Sequence, residues 1–78
     1  MFNKDMLREV RNLYGMTRRE LAEKIGLSEV DIFEFEVGHK KPTKATILQY
    51  CLLFGVREGY FSQPTRPSNF DMTTVSHL

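Results

Sequence analysis

Residues 17–38, TRRELAEKIGLSEVDIFEFEVG, decide the fold. Thr17 followed three residues later by Glu20 is a capping box, in which each side chain takes one backbone N–H that the first turn of a helix leaves unsatisfied. Leu21, Ala22 and Ile25 then recur at helical spacing. Gly26 supplies a left-handed stop that would cost another residue about 1 to 2 kcal/mol. Two residues on, Ser28 and Asp31 repeat the cap, Ile32 and Phe35 form an inward stripe, and Gly38 closes the segment. Two short helices joined only through Gly26, Leu27 and the Ser28 cap make a corner of roughly 90 to 120°, which turns the second helix outward.

Working outward, Met6, Leu7, Val10, Leu13 and Tyr14 have the spacing of one helix face, and Gly15 ends it. On the other side, HKKP at 39–42 is a basic loop and Thr43 an N-cap. Ile47, Tyr50, Cys51 and Phe54 follow at i, i+3, i+4 and i+7, and Gly55 closes that helix. Residues 56–61 have room only for a short fifth helix, and SQPTRPSN at 62–69 has the proline and polar content of a linker. FDMTTVSHL at 70–78 fits a helix face through Met72, Val75 and Leu78, or a strand face through Phe70 and Met72. The expectation is an all-α, five-helix domain over residues 1–61, followed by a Pro-containing linker and tail over 62–78.

Composition agrees with a single small globule: 78 residues, 41% of them hydrophobic and 27% charged. A two-domain enzyme does not fit in this length. Cys51 is the only cysteine, so no intrachain disulfide forms, and a lone thiol among apolar residues suits a reducing compartment. His39 and His77 are far apart without a cysteine cluster, so no zinc ligand set is expected. No apolar run approaches the roughly 18 residues of a membrane span, and MFNKDMLREV has no secretion-signal core, so a soluble cytoplasmic protein is expected. No acid/base pair in an evident cleft, metal set or activated nucleophile points to catalysis, and no cofactor is implied.

The net charge of +1 hides an uneven distribution. Residues 28–37 hold Glu29, Asp31, Glu34 and Glu36 without a base, whereas 38–48 hold Lys40, Lys41 and Lys44 without an acid. Exposed charge runs of this kind are commonly no more than solvated faces.

Taken together, residues 7–61 resemble the phage repressor and Cro family of helix-turn-helix domains, also called the xenobiotic-response-element (XRE) family. The resemblance is carried by Leu7, Val10 and Arg11, the run TRRELAEKIGLS, Ile32, Phe35-Glu36-Val37-Gly38, Lys41-Pro42-Thr43 and Phe54-Gly55-Val56. It implies an all-α fold that places helix three in the DNA major groove, usually as a homodimer on a two-fold operator. It implies an ion pair between Arg11 and Glu36 that ties helix one to helix three. It also implies phosphate contacts from Arg18 and Arg19 at the start of helix two, and from His39, Lys40, Lys41 and Lys44 around the start of helix four. Cys51 stands where the family prefers Ala, which reads as core packing.

Helix three departs from the family. The positions that read bases there correspond to Glu29, Val30, Phe33 and Glu34, with Val37 near the backbone, and none is a usual base reader. Val30, Phe33 and Val37 at i, i+3 and i+7 make a second apolar stripe opposite Ile32 and Phe35. Two functions follow. The first is a small transcriptional regulator whose DNA contact is led by phosphates. The alternative is an antirepressor-like module, since small phage antirepressors resemble their repressors and cover the DNA-binding face, and an apolar centre with an acidic rim complements a basic reading helix. The stretch YFSQPTRPSNF also resembles the continuation found in mobile-element regulators joined to an ImmA-like zinc peptidase, whose HExxH motif does not occur in these residues.

Overall fold

The structure, a computed structural model, describes residues 2–64. Four α-helices, α1 (Asp5–Leu13), α2 (Arg18–Ile25), α3 (Glu29–Val37) and α4 (Lys44–Phe54), precede a 3-10 turn over Glu58–Ser62. There is no strand among the described residues. The fifth helix is therefore a 3-10 turn, as a five-residue segment is too short to propagate i→i+4 hydrogen bonds. Most of the expected linker and tail, residues 65–78, lies outside the described residues.

Both capping boxes close. The Glu20 amide donates to Thr17 Oγ1 at 3.0 Å and the Thr17 amide to Glu20 Oε1 at 2.9 Å. The Asp31 amide donates to Ser28 Oγ at 3.1 Å and the Ser28 amide to Asp31 Oδ2 at 3.2 Å. Gly26 and Gly38 end α2 and α3 at φ of +74° and +87°. Each helix thus starts and stops where its own sequence dictates, and α2 and α3 can leave the corner on fixed headings.

One core joins the elements: Met6, Leu7 and Val10 from α1, Leu21 and Ala22 from α2, Ile32 and Phe35 from α3, Ile47, Tyr50 and Phe54 from α4, and Phe61 from the 3-10 turn. Tyr50 meets Phe61 edge-on at 5.7 Å between ring centroids, and Phe54 meets Tyr14 at 4.9 Å. The chain start is pinned to the 3-10 turn, where the Asn3 amide donates to the Phe61 carbonyl at 2.7 Å and Asn3 Nδ2 to the Gln63 carbonyl at 2.7 Å. Leu13 and Tyr14 depart from the stripe expected for α1 and are exposed, although Tyr14 still lays its ring against Phe54. The helix ends at Leu13, and the chain turns away through Tyr14 and Gly15, so the last two apolar positions of the periodic run lie at the rim of the core rather than within it. Cys51 is half-buried beside the core, and burial pushes its thiol up from the ordinary value, which keeps it protonated at neutral pH.

Candidate nucleic-acid interface

The α2–α3 corner leaves one side of α3 bare. Ile32, Phe35 and Glu36 face inward, while Val30 is 63% exposed, Phe33 43% and Val37 39%. At about 100° per residue these three lie on one outward strip. They form a continuous apolar ridge along the helix that the corner presents to solvent.

Glu36 anchors the inner side. Its buried carboxylate accepts from Arg11 Nε at 2.7 Å and Arg11 Nη2 at 3.0 Å, a two-pronged pair that ties α1 to α3. Arg11 Nη1 also donates to the Met16 carbonyl at 2.8 Å, bracing the loop that enters α2. A third donor reaches the same carboxylate, Arg18 Nε at 3.1 Å. Two guanidinium groups therefore share one negative charge, and the cluster keeps a net positive charge on its outer member. Arg18 also lies over the Phe33 ring, 5.3 Å from its centroid, so it is held beside the ridge from two directions.

Lys40 occupies the opposite shoulder. Its ammonium donates to Asp31 Oδ1 at 2.6 Å, lies 3.5 Å from Glu34 Oε1, and sits 5.5 Å from the Phe35 ring centroid. The Lys40 ammonium holds the Asp31 carboxyl below its ordinary value, with the Ser28 backbone N–H adding to the effect. The same hydrogen bond raises Lys40 above its own ordinary value. On the helical wheel Glu36 lies beyond the Phe33 edge of the ridge, and Asp31 and Phe35 lie beyond its Val30 edge. Arg18 and Lys40 thus flank it on either side.

The remaining cations expected at this surface are placed as follows. Arg19 is exposed and 4.0 Å from Glu23, an i, i+4 contact open to solvent. Lys41 extends over Phe2 at 5.8 Å from its ring centroid. His39 is exposed, and its backbone amide donates to the Glu34 carbonyl at 2.9 Å in the turn that closes α3. Lys44 is the first residue of α4, which has no acidic residue in its first turn, so its charge sits against the positive end of the helix dipole. Of the two outward carboxylates on α3, Glu34 is drawn to Lys40, whereas Glu29 is exposed and makes no ion pair or hydrogen bond with another described side chain.

Besides the sharing of Glu36 by Arg18, two further features were not evident in the sequence. Asp31, read as a cap alone, is also the main anchor of Lys40. An open groove of about 720 Å³ runs beside this shoulder between Phe2, Lys4, Phe35, Lys40, Lys41 and Pro64, formed by packing the chain start against the end of α3. Among the described residues no group of three or more potential ligands could hold a metal ion, and no helix is long and apolar enough to cross a membrane.

A family model described as helix-turn-helix matches residues 7–61. No curated protein matches the chain.

Proposed function

Because the chain belongs to the Cro/C1-type helix-turn-helix family of DNA-binding regulators, we propose that it acts as a small transcriptional regulator whose grip on duplex DNA is led by phosphate contacts. The observation that carries this reading is the bare outer side of α3 with cations on both shoulders. Among the described residues Arg18 has one acid, Glu36, which it shares with Arg11, and so keeps positive charge for a phosphate. Arg19, His39 and Lys41 are exposed nearby in the chain. At the start of α4 a phosphate would relieve the conflict between Lys44 and the helix dipole. Lys40 must loosen two carboxylates to reach a phosphate, so its share is the smallest of the set.

A two-fold operator calls for two copies whose α3 helices lie about 34 to 36 Å apart. Leu48 and Leu52 on α4 are exposed apolar side chains that a second copy would cover. The antirepressor-like alternative draws on the Val30, Phe33 and Val37 ridge with Glu29 and Glu34 beside it, a surface complementary to the basic reading helix of a repressor.

The test is a titration of random-sequence duplex with the full chain at several salt concentrations. Affinity should fall linearly on a logarithmic plot, and Ala at Arg18, Arg19, Lys41 or Lys44 should each lower the salt slope by roughly one unit. A quadruple variant with the slope of the parent chain would remove DNA from the account of this surface.

A further inference from the structure

If α3 enters the major groove as proposed above, the side chains it carries there are chemically one-sided. Val30, Phe33 and Val37 offer only apolar contact, and the carboxylates of Glu29 and Glu34 only accept hydrogen bonds. No donor side chain projects from the outward face of the helix. The donors of this region stand on its shoulders, Arg18 held by Glu36 and Lys40 by Asp31.

The base edges answer this set unequally. Guanine presents two acceptors, N7 and O6, which face a carboxylate with repulsion. Adenine presents its N6 donor next to the N7 acceptor, so a carboxylate gains one contact and is opposed by the other. Cytosine presents the N4 amino group alone, and thymine presents a C5-methyl group suited to an apolar ridge. Glu34 is drawn to Lys40 at 3.5 Å, whereas Glu29 has no partner among the described side chains and is the acceptor at liberty.

We infer that α3 selects pyrimidines: Val30 and Phe33 seat thymine methyl groups, and Glu29 accepts from a cytosine N4 amino group. The operator half-site then carries a run of thymine and cytosine on the strand that faces the ridge, and guanine on that strand is rejected. Arg18 supports the arrangement by stacking on Phe33, which fixes the ring edge against which a methyl group would lie. This inference rests on the DNA-binding reading and adds to it the class of base contacted.

The experiment is selection of bound sequences by the full chain from a random duplex library, followed by affinity measurements on altered versions of the selected site. Replacing thymine by uracil removes only the methyl group and leaves the protein untouched, so folding does not enter. Affinity should fall about fourfold per methyl lost. Phe33→Ala should abolish the difference between thymine and uracil at the position its ring contacts and leave the one at the Val30 position, while the salt slope stays that of the parent chain. Glu29→Gln, which supplies a donor beside the acceptor, should move the preference at one position from cytosine to adenine by at least about fivefold. A selected half-site in which guanine predominates on the facing strand, or equal affinity for thymine and uracil duplexes with a normal salt slope, overturns the inference and leaves phosphate-led binding standing. Absence of binding to any duplex overturns both readings and leaves the ridge to a protein partner.

Discussion

Replacing Glu36 by Ala removes a carboxylate that is 3% exposed and receives three guanidinium donors at 2.7 to 3.1 Å. Arg11, itself buried, would keep only its bond to the Met16 carbonyl and would face Arg18 without an intervening charge. Breaking a buried pair by removing one partner costs about 3 to 5 kcal/mol. Because Arg18 can swing into solvent, the lower end applies here, about 3 kcal/mol. A domain of this size has roughly 4 to 12 kcal/mol of stability in all, and about 3 kcal/mol corresponds to a fall in Tm of roughly 12 to 24 °C. Thermal melts followed by far-ultraviolet circular dichroism would read it directly. Glu34→Ala is the control, since Glu34 meets only the exposed Lys40 at 3.5 Å and such pairs contribute little in screened solution. A double variant, Arg11→Met with Glu36→Leu, should recover much of the loss, because apolar residues of similar volume often replace a buried pair without penalty. Equal melting temperatures for Glu36→Ala and Glu34→Ala would refute the reasoning.

Phe33→Ala should leave Tm within a few degrees of the parent chain, since the ring is 43% exposed, lies outside the core and meets the Arg18 guanidinium; a fall like that of Glu36→Ala would make Phe33 a core residue. If a second copy covers the α4 ridge, light scattering should find a dimer that Leu48→Ser with Leu52→Ser converts to a monomer without loss of helicity; a parent chain that is monomeric at high concentration removes this interface. The Asp31–Lys40 pair sets a pH window. Asp31 is held below its ordinary 3.8, so its contribution is complete above that value and is lost as pH falls through the lower folded value. Lys40 is raised above 10.5, so its contribution is complete below that value and is lost as pH rises through the higher folded value. Side-chain NMR titrations should show Asp31 titrating below an unpaired aspartate and losing that displacement in Lys40→Ala; an unchanged Asp31 titration would show that the pair does not form in solution.

Most of the scaffold was legible because it is written in local chemistry. Thr17 with Glu20 and Ser28 with Asp31 are read at a spacing of three, and Gly26 and Gly38 mark left-handed stops wherever they fall. The inward stripes of α2 and α3 follow from helical periodicity alone. What escaped is contact across turns. Lys40 reaches Asp31 nine residues back because the left-handed turn at Gly38 doubles the chain over the end of α3, and no pattern in the sequence marks that pairing. Arg18 sharing Glu36 with Arg11 depends on how α1 and α2 converge on α3, which periodicity leaves open. The groove between Phe2 and Phe35 arises because the first residues, pinned to the 3-10 turn, also pack against the end of α3, a juxtaposition across about the whole length of the domain. At the candidate interface the sequence carried which side chains are exposed on α3, while the structure shows which cations stand on either side and which carboxylates they already engage.

Contact of α3 and its cationic shoulders with duplex DNA can be read from amide NMR spectra of the labelled full chain as duplex is added. The largest shifts are expected at residues 18–19, 29–37 and 39–44, with the surface around Glu9 and Tyr60 unmoved. Spectra in which residues 29–37 stay unmoved while duplex binds elsewhere, or in which no residue responds, would contradict it.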